Sequence, residues 1–171
     1  GEEFAIDIPD GRYRFFNWDA AQNAIVAQSG VAPNGTWQHL VAVYDQPAGR
    51  MQLFINGALA ASAVPRASLV GSFDEVTIGA RKNSGSPYND LNFNGRIDEV
   101  AIYNRALSTN EILAHFNAAF DPSTPSGLDT NDVVFGAEIV TAETLPQPEP
   151  LKLAFNEHAS STNSDFWIEI I

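Results

Sequence analysis

Two pairs of neighbouring acids, Asp74-Glu75 and Asp98-Glu99, are the obvious candidates for chemistry in this chain. Retaining hydrolysis of a glycosidic bond needs two carboxyl groups about 5 Å apart, one as nucleophile and one as acid/base. Successive side chains of a strand point to opposite faces. Two adjacent acids on one strand therefore cannot converge on the same bond. Asp98 and Glu99 read as structural, one carboxylate capping or hydrogen-bonding a neighbouring loop and the other solvated. His39, His115 and His158 stand apart from each other, so no base is paired with a nucleophile by spacing. His39, inside an apolar run, reads as a hydrogen-bonded structural histidine. The chain has no Gly-x-Ser-x-Gly, no phosphate loop and no His-Glu-x-x-His. The sequence reads as non-enzymatic.

Binding chemistry has better candidates. Asp74, Asp90, Asn92, Asn94 and Asp98 supply the hard oxygen donors that calcium takes. The stretch Asn89 to Gly95 carries the acid/amide alternation of an EF-hand loop, but position 101 is Ala where the closing Glu is required, and no helices flank it. An EF-hand is rejected. A loop calcium site at Asp90, Asn94 and Asp98 stands against an ordinary Asn/Asp-rich turn. Sugar binding needs an aromatic ring to stack on a pyranose beside polar groups. Tyr88 with Asn89 and Asn92 is one candidate, and Trp18 is the other. Their structural alternatives are an exposed loop tyrosine and a core or rim tryptophan.

Charge narrows the ligands. Nine basic against 21 acidic residues give a net charge of −12. That disfavours nucleic acid and anionic membranes, which need Lys/Arg, and permits a divalent cation. No run of 18 apolar residues is present, so no membrane span is expected. The absence of cysteine excludes disulfides, thiolate nucleophiles and Cys-based zinc sites.

The elements that must position these residues are short strands. Phe4–Ile8, Arg12–Trp18, Ala24–Gln28, Trp37–Tyr44, Arg50–Ile55, Phe73–Ile78 and Gly95–Tyr103 carry aromatic or β-branched residues between turn signals, and Ala58–Val64 follows the Asn56-Gly57 turn as a further strand. Asn56-Gly57 between two such runs predicts a type I′ hairpin. Trp37–Tyr44 is apolar on both alternating faces, as in a strand covered on both sides. One helix is predicted, opened by the capping box Ser108-Thr109-Asn110-Glu111, carried by Ile112, Leu113 and Phe116, and ending near Ala118. From Asp121 to Pro150 the composition shifts to a linker holding Pro122, Pro125, Pro146, Pro148 and Pro150. Leu151–Ile171 is two strand-like runs around a polar loop, too short to bury a core alone.

Gly35-Thr36-Trp37-Gln38-His39-Leu40-Val41-Ala42, Leu53-Phe54-Ile55-Asn56-Gly57, Val76-Thr77-Ile78-Gly79 and Phe93-Asn94-Gly95-Arg96-Ile97-Asp98-Glu99-Val100-Ala101-Ile102-Tyr103-Asn104-Arg105-Ala106-Leu107-Ser108 occur in one order. Together they resemble the laminin-G-like, concanavalin A-like jelly roll over about residues 1–119. The resemblance implies an all-β, antiparallel two-sheet sandwich with one short helix. It places Trp37 in the core, and calcium at the rim. The glucanases of that scaffold carry Glu-x-Asp-x-(x)-Glu on one strand, which this chain lacks. Family members begin with further strands, so the segment resembles a domain truncated at its N-terminus. Strands from 133–140 or 151–171 are expected to fold onto the sheet edge this opens. Leu153-Ala154-Phe155-Asn156-Glu157 and Asp165-Phe166-Trp167-Ile168-Glu169-Ile170 resemble the start of a lamin-tail-like domain. The expected organisation is thus a jelly roll over 1–119, a linker over 120–150 and opening strands of a second domain over 151–171.

What the resemblance implies for function is a non-catalytic recognition or adhesion module of a larger secreted or surface bacterial protein. Its partners are a glycan or an extracellular protein, together with other domains of the parent chain. The alternatives are an accessory module of a polysaccharide-degrading enzyme and a purely structural spacer.

Overall fold

The computed structural model describes residues 4–19, 21, 23–65, 76–82, 89–120, 133–137 and 167–170. Three strands form a first antiparallel sheet, β1 (Phe4–Asp7), β2 (Arg14–Trp18) and β3 (Ala24–Gln28), in that spatial order. A second, six-stranded sheet is built from β4 (Leu40–Asp45), β5 (Arg50–Ile55), β6 (Ala58–Ala63), β9 (Val100–Tyr103), β10 (Val133–Ala137) and β11 (Trp167–Ile170). Its order is β10-β9-β11-β4-β5-β6, and every pairing is antiparallel. A ribbon of two-residue strands, β7 (Arg81–Lys82) and β8 (Asn89–Asp90), lies between β6 and β9 in the chain. The one α-helix among the described residues is α1 (Thr109–Phe120).

The two larger sheets close on a common core. Alternation decides which side chains enter it. In β2 and β3 the inward apolar residues are Phe15, Ile25 and Ala27, and they pack in one cluster with Leu40 to Tyr44 of β4 and with Met51, Leu53, Phe54 and Ile55 of β5. β4 is buried along Leu40–Tyr44, as the doubly apolar run predicts. The fold is the all-β sandwich with one helix that the sequence predicts, as the antiparallel pairing and the strand content establish.

Local rules set the connections. Asn56 and Gly57 adopt φ of 53° and 73°, the left-handed pair that the β5–β6 turn requires. The capping box forms: the Ser108 N–H donates to Glu111 Oε2 at 2.7 Å, and the Glu111 N–H donates to Ser108 Oγ at 3.3 Å. Helix α1 then lies over the hairpin and β9. Its Phe116 ring stacks on His39, with centroids 6.2 Å apart, and His115 stacks on Tyr103 at 6.0 Å.

Three expectations change. Trp37 is 48% exposed, not core. The strand begins at Leu40, and the buried side chain at this end of the sheet is His39, held under Phe116. The strand expected from Gly95 begins only at Val100, because Glu99 takes a φ of 47° and breaks the pleat. Asp98 and Glu99 therefore do not occupy alternating strand positions; the Glu99 N–H donates to Asp98 Oδ1 at 2.9 Å. Of the strand expected over Phe73–Ile78, residues 73–75 lie outside the described residues and Val76–Ile78 is not strand.

Both tail segments that the sequence offers as edge strands contribute to the large sheet. β10 pairs with β9, while Trp167–Ile170 lies between β9 and β4.

Candidate functional site

Trp18 closes a row of side chains on the outward face of β2. With Phe15 turned into the core, Arg14, Phe16 and Trp18 share the opposite face. Phe16 meets Trp18 edge-on, centroids 6.3 Å apart and planes at 87°. The Arg14 guanidinium carbon sits 4.5 Å above the Phe16 ring, within cation–π range. The hairpin register places Asp7 opposite Arg14. Arg14 Nε and Nη2 donate to the two Asp7 carboxylate oxygens at 2.8 and 2.5 Å, a bidentate clamp that fixes the guanidinium plane. On the other side Arg14 faces Gln28, whose Nε2 donates to Asp10 Oδ2 at 3.0 Å.

The face is thus graded. One row across the sheet, Asp7, Arg14 and Gln28, is polar; the next, Ala5, Phe16 and Val26, is apolar. Trp18 follows, with only Ala24 opposite it in β3. Adjacent rows on one face lie two residues apart, about 7 Å. Phe16 is 5% exposed and acts as a floor, while Trp18 is half-buried, with Ala24 beside it in β3. A half-open indole next to a row of fixed donors and acceptors can stack a sugar ring and hydrogen-bond its hydroxyls.

Behind Trp18 the turn into β3 is closed by Asp19, which accepts the N–H groups of Ala21 (2.9 Å) and Asn23 (2.8 Å). This buried carboxylate serves the backbone that carries the tryptophan.

The remaining sequence candidates are scattered. Tyr88 lies outside the described residues. Asn89 and Asp90 form β8, with Asp90 opposite Arg81 and Asn89 opposite Lys82 in the backbone register. Asn92, Asn94 and Asp98 are exposed on the segment leading to β9. That segment is pinned by the Phe93 N–H, which donates to Gly79 O at 2.7 Å. A Cβ on Gly95 would meet the Phe93 ring at 2.6 Å, so the glycine lets the ring fold back over the chain. Among the described residues no three of His, Asp and Glu gather as a metal-holding set, and Asp98 already accepts the Glu99 N–H.

Sequence reasoning found Trp18 but missed Arg14, Phe16, Asp7 and Gln28. Their signal was available: with Pro9-Asp10-Gly11 as the turn, hairpin pairing sets Asp7 against Arg14, and the alternation of Arg14-Phe15-Phe16-Asn17-Trp18 puts a cation and two rings on one face.

Comparison with known proteins identifies the fold's lineage. The Laminin_G_3 family model, described as the concanavalin A-like lectin/glucanases superfamily, matches residues 1–113, and the chain belongs to this superfamily. Among curated proteins it is similar to the pentraxin-related protein PTX3 of Bos taurus, with 35% identity over 97 residues, and to that of Homo sapiens, with 33% identity over 97 residues. Each match covers 53% of this chain and 25% of the relative, so the chain spans about a quarter of the length of the curated relatives it matches. No solved structure gives a significant match. Laminin-G-like domains are generally binding modules without catalysis, are typically extracellular and often bind calcium. No described helix is long and apolar enough to cross a membrane.

Proposed function

We propose that this chain is a non-catalytic recognition module of a larger secreted or surface protein, and that the outward face of β1–β3 takes a glycan. The observation that carries the reading is the row Arg14–Phe16–Trp18, with the Asp7 clamp on Arg14 and Ala24 beside the indole. Trp18 supplies the stacking surface, and Arg14, Asp7 and Gln28 supply polar contacts one to two rows away. Membership of a superfamily that includes lectins supports the same reading, although a fold alone does not fix a function.

Calcium is the second ligand of the proposal, with Asn94 and Asp98 as exposed oxygen donors on the segment before β9. Glycan-array binding of the wild-type chain and of Trp18→Ala, with and without EDTA, tests both. Loss on Trp18→Ala with no EDTA effect places recognition on the β1–β3 face. Loss with EDTA alone moves it to the 89–98 segment. Absence of any glycan binding makes the chain a spacer.

A further inference from the structure

Of the outward residues of β1–β3, only Asp7 and Arg14 carry charge, and they carry it as a pair. Both Asp7 oxygens accept from Arg14, at 2.8 and 2.5 Å, and the guanidinium carbon rests 4.5 Å from the Phe16 ring centroid. The Arg14 and Asp7 side chains are 27% and 33% exposed, so solvent screens them less than an open surface pair. An anion approaching this face meets a cation already neutralised in bidentate geometry, and must displace Asp7 to reach it. Nearer the indole the face holds no charge: Ala24 lies opposite Trp18, and Ala5 and Val26 flank Phe16.

The surroundings favour anions no better. Asp19 follows Trp18 directly, and its buried carboxylate accepts the N–H groups of Ala21 and Asn23. Asp10 stands at the far rim, where it accepts from Gln28. The nearby cation besides Arg14 is Arg12, exposed between β1 and β2. Six residues separate it from Trp18. That is roughly 20 Å along an extended chain, about twice the Debye length at 0.1 M salt. A sugar seated on the indole is thus beyond the field of Arg12 and within that of Asp19.

We propose, resting on the glycan reading of this face, that its ligand is an uncharged sugar chain and that Asp7 is the residue that sets this selectivity. By cancelling Arg14, Asp7 leaves a couple of hydrogen-bonding groups that suit hydroxyls, which both donate and accept, and no net charge for a carboxylate or sulfate to find. An anionic sugar laid against Phe16 and Trp18 loses hydration that nothing on the face restores.

A glycan array that includes trisaccharides matched except at C6 tests this. Neutral β-1,4-linked glucose, galactose and mannose chains stand beside their C6-oxidised (uronate) and 6-sulfated counterparts. Such a chain runs from the indole row to the Asp7–Arg14 row without reaching Arg12. The wild type at low salt is expected to favour a neutral chain over its charged counterparts about tenfold, a preference that narrows as salt is added. Asp7→Asn, which leaves Arg14 uncancelled, is expected to raise the ratio of charged to neutral binding about tenfold, whereas Arg12→Gln leaves the ratio as it is. Wild-type binding of a charged chain at least as tight as of its neutral match, lost on Trp18→Ala, overturns the selectivity and leaves recognition on the β1–β3 face standing. Binding indifferent to Trp18→Ala in a folded chain, or no binding of any glycan on the array, overturns that recognition and the selectivity with it. An unchanged ratio in a folded Asp7→Asn chain overturns the role of Asp7. The wild-type comparison decides the ligand's charge whether or not that variant folds.

Discussion

Asn56 and His39 hold each other through two hydrogen bonds. The Asn56 N–H donates to the His39 carbonyl at 2.8 Å, and the Asn56 side-chain Oδ1 accepts the His39 N–H at 3.0 Å. The tie joins the start of β4 to the β5–β6 turn directly beneath helix α1, where Phe116 stacks on the same histidine. Gly57 completes that turn at a φ of 73°, and a Cβ there would meet Leu113 Cδ1 at 3.0 Å and Phe116 Cβ at 3.3 Å. Gly57→Ala therefore combines left-handed strain with crowding of the helix. The expected loss is about 1–2 kcal/mol, read as a lower urea midpoint with an unchanged m-value. An unchanged midpoint would show that helix and hairpin are not packed this way.

The cap of α1 predicts a pH dependence. Glu111 is held down to about 2, first by the Arg105 guanidinium at 2.8 Å and then by the Ser108 N–H. Its folded value lies below the ordinary 4.5, so the unfolded chain binds the proton more readily in between. The stabilisation is present above about 4.5 and is lost as pH falls towards 2. Glu111 is more than a third exposed, and solvent screening keeps the effect under about 1 kcal/mol. Glu111→Gln should lower stability at pH 6 and flatten the stability curve between pH 4.5 and 2. Parallel curves for variant and wild type in that interval would contradict the assignment.

Asn17 sits on the inward face of β2 at 1% exposure, opposite Phe4 and Ile25, and neither its Oδ1 nor its Nδ2 makes a hydrogen bond. A buried amide in that position costs the fold its desolvation. Asn17→Leu, which keeps the number and branching of side-chain heavy atoms, is expected to stabilise by roughly 1 kcal/mol, raising Tm by a few degrees. A drop in Tm would mean the amide is satisfied in solution.

How far the sequence reveals this structure depends on how local each signal is. Asn56-Gly57 and the Ser108/Glu111 box are legible because a few adjacent residues contain the whole of their geometry. The core strands β4 and β5 are legible because their apolar runs exceed what an exposed strand carries. Trp37 misleads: its residue type favours burial, but its exposure is set by where β4 starts, which His39, Asn56 and Phe116 decide from distant parts of the chain. The break at Glu99 depends on a single backbone angle that the run Asp98 to Tyr103 does not announce. Trp18 is visible as an aromatic, whereas the Asp7–Arg14 clamp beside it appears only once the β1–β2 register is known. The place of Trp167–Ile170 between β9 and β4 is the least local feature, since it joins residues more than sixty positions apart.

Glycan-array binding by the wild-type chain beside Trp18→Ala and Trp18→Phe most directly tests recognition on the β1–β3 face. Circular dichroism and thermal unfolding confirm that each variant folds. A defined glycan class is expected to bind the wild type in the presence of EDTA, to weaken about tenfold on Trp18→Ala, equivalent to ~1.4 kcal/mol, and to recover in part on Trp18→Phe. Glycan binding that is indifferent to the loss of the indole in a folded Trp18→Ala chain, or no glycan binding by the wild type, would contradict the account.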